Sequence, residues 1–263
     1  MTITRQTRIK LNNGSEIPLL GLGVWQMAKG QETEQAVDWA LKSGYRHIDT
    51  AKLYRNEESV GKAVKDSAIP REEIFITTKL WPTDAFDVDS AFETSLQKLG
   101  LEYIDLYLVH WPVPLLGSRT WKRLEALYDQ KLARAIGVSN YSQSQLQELL
   151  RDANVPPVVN QIEFNPFAYE KDLLVYCQSN DIAVEAYSPL TRGVRLDDDT
   201  MGKIAMQHTK TPAQVMLRWA LQKNVIIIPK SSNKDRIQEN ADVFDFELSE
   251  EEIRRIDSLS VRY

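Results

Sequence analysis

The sequence contains few of the residues on which several common kinds of protein depend. Its one cysteine, Cys177, excludes an intrachain disulfide. Its three histidines show no spacing typical of a metal site. No segment approaches the roughly 18 apolar residues that a membrane span requires, and residues 1–10 lack the apolar run of a secretory signal. We therefore expect a cytoplasmic protein that binds no metal.

The charge balance gives no general attraction to nucleic acid or to an anionic membrane. There are 32 basic and 37 acidic residues, which gives a formal net charge of −5. Hydrophobic residues make up 43% of the chain, enough to bury a large core. Because composition does not change along the chain, we expect residues 1–263 to form a single domain. The expected partner is a small molecule.

Short apolar segments alternate with longer amphipathic segments along the whole chain. Several apolar segments lack polar alternation, as is typical of parallel strands covered on both faces. The intervening segments carry apolar residues at helical spacing. The pattern predicts an α/β protein, a closed (β/α)8 TIM barrel. Its eight strands are expected at residues 19–25, 45–51, 74–80, 103–111, 134–141, 158–164, 183–190 and 225–232.

Two segments lie outside these eight units. Residues 12–15, Asn-Asn-Gly-Ser, separate two short runs and predict an N-terminal β-hairpin that covers the N-terminal end of the barrel. Ser249, with Glu252 three residues later, predicts a capping box that begins an extra C-terminal helix.

Polar side chains stand at the ends of three neighbouring predicted strands. Asp49 ends the second strand and is followed closely by Tyr54, while Lys79 ends the third strand and His110 the fourth. Catalytic groups of (β/α)8 barrels lie at the C-terminal ends of the strands, so these four side chains should meet at one barrel mouth. Because an unpaired buried charge is costly, Asp49 and Lys79 are predicted to pair.

Several long motifs occupy these strand ends. They are Gly-Tyr-Arg-His-Ile-Asp-Thr-Ala at residues 44–51, Leu-Tyr-Leu-Val-His-Trp-Pro at 106–112 and Ile-Pro-Lys-Ser at 228–231, with Gly-Val-Ser-Asn at 137–140 and Asn-Gln at 160–161. In this order they resemble the aldo-keto reductases, and most closely the bacterial and protozoal branch with diketogluconate reductases and prostaglandin F synthases. The resemblance implies NADPH-dependent reduction of aldehydes and ketones over a broad substrate range.

The resemblance also implies catalytic roles. Tyr54 would be the general acid that protonates the carbonyl oxygen. A free tyrosine has a pKa of about 10, and the Lys79 ammonium is expected to lower it toward neutrality. Asp49 would hold Lys79 charged and oriented. His110 would donate a hydrogen bond to the substrate oxygen.

The cofactor site is not a Rossmann fingerprint, because the pattern begun by Gly21 and Gly23 fails at Gln26. A basic turn after the eighth strand offers another phosphate site, at the start of a helix. Lys230, Ser231 and Arg236 suit a 2'-phosphate, which a guanidinium can bind with two hydrogen bonds. The resemblance adds Asn233, Glu239 and Asn240 at the adenine end, Ser139, Asn140 and Gln161 at the carboxamide, Tyr187 against the nicotinamide ring, and Ser188, Leu190 and Gly193 at the pyrophosphate.

Three tryptophans just beyond strands one, three and four, Trp25, Trp81 and Trp111, are expected to form the walls of an apolar substrate pocket. Arg55, where many relatives have a small residue, either favours acidic substrates or points to solvent. The 112–121 segment is short, and the chain ends at Tyr263 without the tail that closes the pocket in many relatives. An open site is therefore expected.

Two other functions fit parts of the pattern. Lys79 on a barrel strand could serve a Schiff-base aldolase as nucleophile, although this leaves the basic turn unexplained. A regulatory protein that binds the cofactor without turnover is the other alternative. The sequence is compatible with sugars, α-dicarbonyls, aliphatic aldehydes and ketosteroid-like substrates. Since monomers are common among the resembling proteins, a monomer is expected.

Overall fold

A computed structural model describes residues 3–113 and 117–260. Strands β1 (Arg8–Lys10) and β2 (Glu16–Pro18) pair as an antiparallel hairpin. One parallel eight-stranded sheet contains the remaining strands, β3 (Leu22–Gly23), β4 (His47–Asp49), β5 (Phe75–Leu80), β6 (Leu106–Val109), β7 (Ile136–Ser139), β8 (Val159–Glu163), β9 (Ala183–Tyr187) and β10 (Ile226–Ile227).

The eight-stranded sheet closes on itself. Its strands neighbour one another in chain order from β3 to β10. Across the remaining gap, the Gly21 amide donates to the Ile227 carbonyl at 2.8 Å, and the Ile227 amide donates to the Leu19 carbonyl at 2.9 Å. Gly23 and Lys230 form a further parallel bridge. The predicted closed barrel is confirmed, and this line of contacts between its first and last strands is called the seam below.

Helices follow the strands and cover the outside of the barrel. They are α1 (Gln31–Lys42), α2 (Glu57–Asp66), α3 (Val88–Leu99), α4 (Gly117–Asp129), α5 (Gln143–Asp152), α6 (Lys171–Ser179), α7 (Asp199–His208), α8 (Pro212–Gln222), α9 (Lys234–Ala241) and α10 (Glu250–Asp257). Helix α10 begins with the predicted capping box of Ser249 and Glu252. No helix of the described ranges is long and apolar enough to cross a membrane.

The N-terminal hairpin lies against the starts of the strands, as predicted. The Asn12 side chain donates to the Pro157 carbonyl at 3.0 Å, and the Asn13 side chain donates to the Arg134 carbonyl at 3.1 Å. These carbonyls precede β8 and β7, so the hairpin covers the N-terminal end of the barrel and leaves the C-terminal end, the mouth, uncovered by it.

The two strands at the seam are shorter than predicted. Strand β3 covers two residues of the expected 19–25, and β10 covers two residues of the expected 225–232. Their remaining contacts are two isolated bridges, Leu20–Ile227 and Gly23–Lys230, and at the second the chains approach closely. A Cβ atom at Gly23 would lie 2.8 Å from the Ile228 carbonyl oxygen. Only glycine allows this approach.

Side-chain alternation directs polar groups into the barrel interior. Successive side chains of a strand point to opposite faces. His47 and Asp49 therefore share one face of β4, and Thr77 and Lys79 share one face of β5. All four are buried, and the register places Asp49 beside Thr77. The interior thus contains a polar layer that leads from the middle of the strands to the mouth.

Candidate active site

A buried ion pair stands at the centre of the mouth. Lys79 donates from Nζ to Asp49 Oδ1 at 2.7 Å and to Asp49 Oδ2 at 2.8 Å, and also to the Thr50 carbonyl at 2.8 Å. Burial alone would lower the pKa of Lys79, but the negative charge of Asp49 and the hydrogen bonds to it oppose this effect, and the pKa is raised. The predicted pair is present, and Lys79 remains an ammonium group.

A short turn carries Tyr54 over this pair. It is a single 3-10 turn, Lys52–Tyr54, and Asn56 links it to the segment that follows β3. Asn56 donates to the carbonyls of Val24 (2.9 Å) and Met27 (3.3 Å). The Tyr54 hydroxyl consequently lies 3.4 Å from Lys79 Nζ. The sequence predicts this meeting of phenol and ammonium but not the part of Asn56, whose burial only the structure shows.

The pKa of Tyr54 corrects one expectation. Burial raises it, while the Lys79 ammonium lowers it, and the net direction is upward. The expected net decrease toward neutrality is therefore wrong for this structure. The reason is physical: removal of the phenol from water disfavours the phenolate more than one ammonium at 3.4 Å favours it. Tyr54 holds its proton across the neutral range.

His110 reaches the same point from the end of β6. Its ring lies edge-on to Tyr54, with centroids 5.8 Å apart, and edge-on to Trp81 at 5.2 Å. Burial, assisted by Lys79, lowers the pKa of His110 to about 3. The imidazole is therefore neutral and carries one N–H. Its buried Nδ1 has no hydrogen-bond partner among the described residues.

A chain of hydrogen bonds joins the residues expected to hold the nicotinamide. The Tyr187 hydroxyl donates to Asn140 Oδ1 at 2.8 Å. Asn140 in turn donates to the His110 carbonyl at 3.1 Å and to Ser139 Oγ at 3.0 Å. Ser139 donates to the Gln161 carbonyl at 2.8 Å. The structure thus brings these predicted residues together beside the tetrad of Asp49, Tyr54, Lys79 and His110.

Gln161 contacts two carboxyl groups inside the barrel. Its Nε2 donates to Asp49 Oδ2 at 2.8 Å and to Glu185 Oε1 at 2.5 Å. Glu185 is fully buried in the middle of β9, and the sequence interpretation overlooks it. The signal was available, because an acidic residue interrupts an apolar strand that is expected to be covered on both faces.

The residues expected at the pyrophosphate follow β9. Ser188, Leu190 and Gly193 belong to a tight segment that contains the 3-10 turn Thr191–Gly193. Ser188 has a φ of 49° and Gly193 a φ of 84°, and the Asn165 side chain donates to the Ser188 carbonyl at 3.2 Å. The segment therefore stands at the mouth, adjacent to Tyr187.

The basic turn lies at the seam and begins α9. Asn233 caps the helix by accepting from the Arg236 amide at 3.0 Å, and Ser231 Oγ accepts from the Asn233 amide at 3.1 Å. Lys230 and Arg236 are exposed, and neither forms an ion pair with a described residue. Two free cations at a helix N-terminus fit an anionic phosphate.

The two residues expected at the adenine lie farther along α9. Glu239 Oε1 accepts from Thr211 Oγ1 at 2.6 Å, which ties it to the start of α8. Asn240 is buried. Both thus lie on the helix that the basic turn begins, and Glu239 already has a protein partner.

Two of the three predicted tryptophans contact the tetrad. The ring centroids of Trp25 and Tyr54 are 4.7 Å apart, and Trp81 packs on His110. Trp111 is 45% exposed. Arg55 is exposed, in a left-handed conformation with a φ of 60°. The expectations for the 112–121 segment and for the end at Tyr263 involve residues 114–116 and 261–263, which lie outside the described residues.

This arrangement can donate one proton to an oxygen at the mouth. Tyr54 supplies a protonated phenol, Lys79 a cation beside it and His110 a neutral imidazole, while Trp25 and Trp81 provide apolar walls. Across residues 3–113 and 117–260, no group of three or more His, Cys, Asp or Glu side chains could hold a metal ion.

Comparisons with known proteins agree with this geometry. Residues 19–261 match the Aldo/keto reductase family. A 9,11-endoperoxide prostaglandin H2 reductase of Trypanosoma cruzi is 48% identical over 96% of this chain and 91% of its own length. Glyoxal reductase of Bacillus subtilis is 48% identical over 99% of this chain and 95% of its own length. The crystal structure of an aldo-keto reductase of Bombyx mori in complex with NADP superposes with a TM-score of 0.92, at 39% identity, over 98% of this chain and 94% of that chain.

The two relatives at 48% identity come from a protozoan and a bacterium, in agreement with the branch that the motifs resemble. Identities near one half over almost the whole chain are far above the level at which only the fold is shared. The chain belongs to the aldo/keto reductase family, and it is an oxidoreductase.

Proposed function

We propose that the protein reduces aldehydes and ketones to alcohols, with Tyr54 as the general acid. The observation that carries the proposal is the Tyr54 hydroxyl 3.4 Å from an ammonium group that Asp49 holds in place. Bound NADPH would supply a hydride to the carbonyl carbon. Tyr54 would give its proton to the carbonyl oxygen, and water would return a proton to the phenolate.

The other members of the tetrad would prepare this transfer. Lys79 would stabilise the phenolate that forms as the proton leaves, since its charge lies beside the phenol. His110 is neutral, so its N–H can donate to the substrate oxygen without adding a charge. Trp25 and Trp81 would exclude water from the reacting oxygen.

The residues of the proposed cofactor site fit NADPH. The hydrogen-bond chain from Tyr187 through Asn140 to Ser139 lies beside the tetrad, where a nicotinamide would lie if it delivers a hydride to a carbonyl beside Tyr54. Gln161 donates through its nitrogen, which leaves Oε1 to accept from a carboxamide N–H. Lys230 and Arg236 are unpaired with respect to the described residues and would bind the 2'-phosphate. Ser188, Leu190 and Gly193 would contact the pyrophosphate between these ends, and Asn233, Glu239 and Asn240 would lie at the adenine end.

Small α-dicarbonyl compounds are the first substrates to test within a broad range. A relative 48% identical bears the name glyoxal reductase. The pocket wall supports a permissive site, because Trp25 and Trp111 are 42% and 45% exposed. The monomeric state and the cytoplasmic location stay predictions, which sedimentation of the purified protein and cell fractionation would test.

The test is NADPH oxidation with glyoxal, aliphatic aldehydes and keto-sugars. Tyr54→Phe should lower kcat by roughly 10²–10⁴, the usual contribution of a general acid, while NADPH still binds. Tyr176→Phe on α6, far from the mouth, is the matched control. Unchanged turnover in Tyr54→Phe would remove Tyr54 from its role, and NADPH binding without turnover of any carbonyl would favour the regulatory alternative.

A Schiff-base aldolase is less compatible with the site. Its nucleophile would be Lys79, whose Nζ is fully buried and engaged by Asp49 and the Thr50 carbonyl. A nucleophilic amine must be free and uncharged. Borohydride trapping of a carbonyl compound on Lys79 would reverse this conclusion.

A further inference from the structure

A second buried carboxyl group lies behind the ion pair of the tetrad. Glu185 points into the barrel from the middle of β9 and has no exposed surface. An amide nitrogen carries two hydrogens, and Gln161 Nε2 donates to Asp49 Oδ2 and to Glu185 Oε1. One amide therefore bridges a carboxyl group of the tetrad and a carboxyl group to which the proposed mechanism assigns no task.

Among the described residues, the remaining surroundings of Glu185 offer no second cation. Its other oxygen, Oε2, is 4.0 Å from His47 Nε2 and has no hydrogen-bond partner among the described residues. His47 Nε2 is 3.0 Å from Thr77 Oγ1, and burial lowers the pKa of His47 to about 3, so the ring is neutral. The titratable groups that face Glu185 from the neighbouring elements are His47 and Asp49 on β4, Tyr54 after it, and Lys79 on β5.

These groups cannot all be charged. Two carboxylates and one ammonium in a dry interior leave one negative charge unbalanced, which is costly. Burial raises the pKa of both carboxyl groups. Asp49 touches Lys79 through both oxygens and is the ionised member. For Glu185, burial and then the charge of Asp49 raise the pKa to about 8, against the opposing effect of Lys79.

We infer that Glu185 is a positioning residue for the proton transfer. Its uncharged form leaves the Lys79 ammonium balanced by one carboxylate, and its ionised form places a second negative charge behind the Tyr54 phenol. The inference rests on the proposed role of Tyr54. A second negative charge opposes formation of the phenolate, so ionisation of Glu185 makes Tyr54 a weaker acid and slows carbonyl reduction.

Because ionisation of Glu185 slows reduction, the direction of the pH dependence can be stated. Glu185 carries its proton below about pH 8 and loses it above, so kcat for reduction should fall across this range. Since the pKa of Tyr54 is itself raised by burial, the fall comes from Glu185. Glu185→Gln keeps the size of the side chain and cannot ionise, so the fall in kcat should be absent in this variant.

The experiment compares kcat with saturating NADPH and glyoxal at about pH 6.5 and about pH 9. The ratio of kcat at about pH 9 to kcat at about pH 6.5 cancels any loss that a variant suffers at both pH values. The ratio should be at least roughly threefold higher in Glu185→Gln than in the unaltered protein, as expected for one added charge near a general acid. Glu148→Gln on the exposed face of α5 is the matched control. Equal ratios in Glu185→Gln and the unaltered protein would overturn the inference.

A second measurement does not depend on a variant's activity. Infrared difference spectra of the unaltered protein between the two pH values should show the carbonyl stretch of a buried carboxylic acid, which disappears at the higher pH. Absence of this band at about pH 6.5 would also overturn the inference. Tyr54→Phe separates the two proposals: if it loses activity while the Glu185→Gln ratio is unchanged, only the inference about Glu185 fails.

Discussion

Replacement of Lys79 by methionine tests whether the Asp49–Lys79 pair supports the barrel as well as the reaction. Met has nearly the same length and leaves Asp49 as an anion with Gln161 as its one remaining side-chain donor among the described residues. Both side chains are almost fully buried, at 0% and 3% exposure. Removal of one partner from a buried pair costs about 3–5 kcal/mol, because the other charge stays uncompensated.

The loss in the free energy of unfolding of Lys79→Met can be measured by equilibrium unfolding in urea at pH 7. A loss of about 3–5 kcal/mol corresponds to roughly 6–20 °C in Tm for a chain of this size. The loss should shrink as the pH falls toward 4, since protonation of Asp49 removes the unpaired charge. The double variant Asp49→Leu with Lys79→Met should recover most of the lost stability, because apolar replacement of a whole pair is often neutral.

Lys203→Met on α7, an exposed position, gives the effect of the same substitution on the surface. A loss below about 1 kcal/mol in Lys79→Met, the range of exposed pairs, would refute the reasoning. It would mean that water reaches the pair and that its charges are screened.

Two further predictions concern the cofactor and the pH dependence of stability. Arg236→Leu should weaken NADPH binding roughly ten- to hundredfold, the value of a charged hydrogen bond, with little effect on NADH. Fluorescence titration measures both, with Arg151→Leu as control, and equal losses would exclude a phosphate contact. His47 and His110, with pKa values lowered to about 3, bind protons below about pH 6.5 only when unfolded. The free energy of unfolding should therefore fall as the pH decreases from 6.5 toward 3, and less so in His110→Asn; identical slopes would contradict the neutral imidazole.

The meeting of Asp49, Tyr54, Lys79 and His110 could be predicted from the sequence. They stand at the ends of consecutive strands, and parallel strands joined by helices place those ends side by side at one edge. The pattern of residues two apart, as in His47 and Asp49, then fixes a common face. Local order along the chain was sufficient for this part of the site.

The contacts across the barrel could not be predicted in this way. Gln161 and Asp49 are separated by 112 positions, and their distance depends on the closure of the whole sheet. Glu185 could be noticed as an acidic residue within an apolar strand, but the groups opposite it, Gln161 and His47, could not be predicted for the same reason. The net pKa direction of Tyr54 was also missed, since it is set by the depth of burial, which no motif encodes.

The basic turn shows a third kind of limit. The sequence places Lys230, Ser231 and Arg236 correctly at the start of a helix, because a capping residue and a strand end are local signals. It does not show that the side chain of Glu239 is occupied by Thr211. A ligand that uses Glu239 would compete with that bond or share it.

The seam has a consequence for how the chain is made. Its hydrogen bonds connect Leu19 and Gly21 to Ile227, so they cannot form while the last quarter of the polypeptide is still inside the ribosome. Until then the growing sheet has two open edges, each able to pair with another chain. Synthesis therefore passes through a stage in which seven barrel strands are present without the eighth strand that closes the sheet, and both edges of the sheet are exposed until that strand emerges.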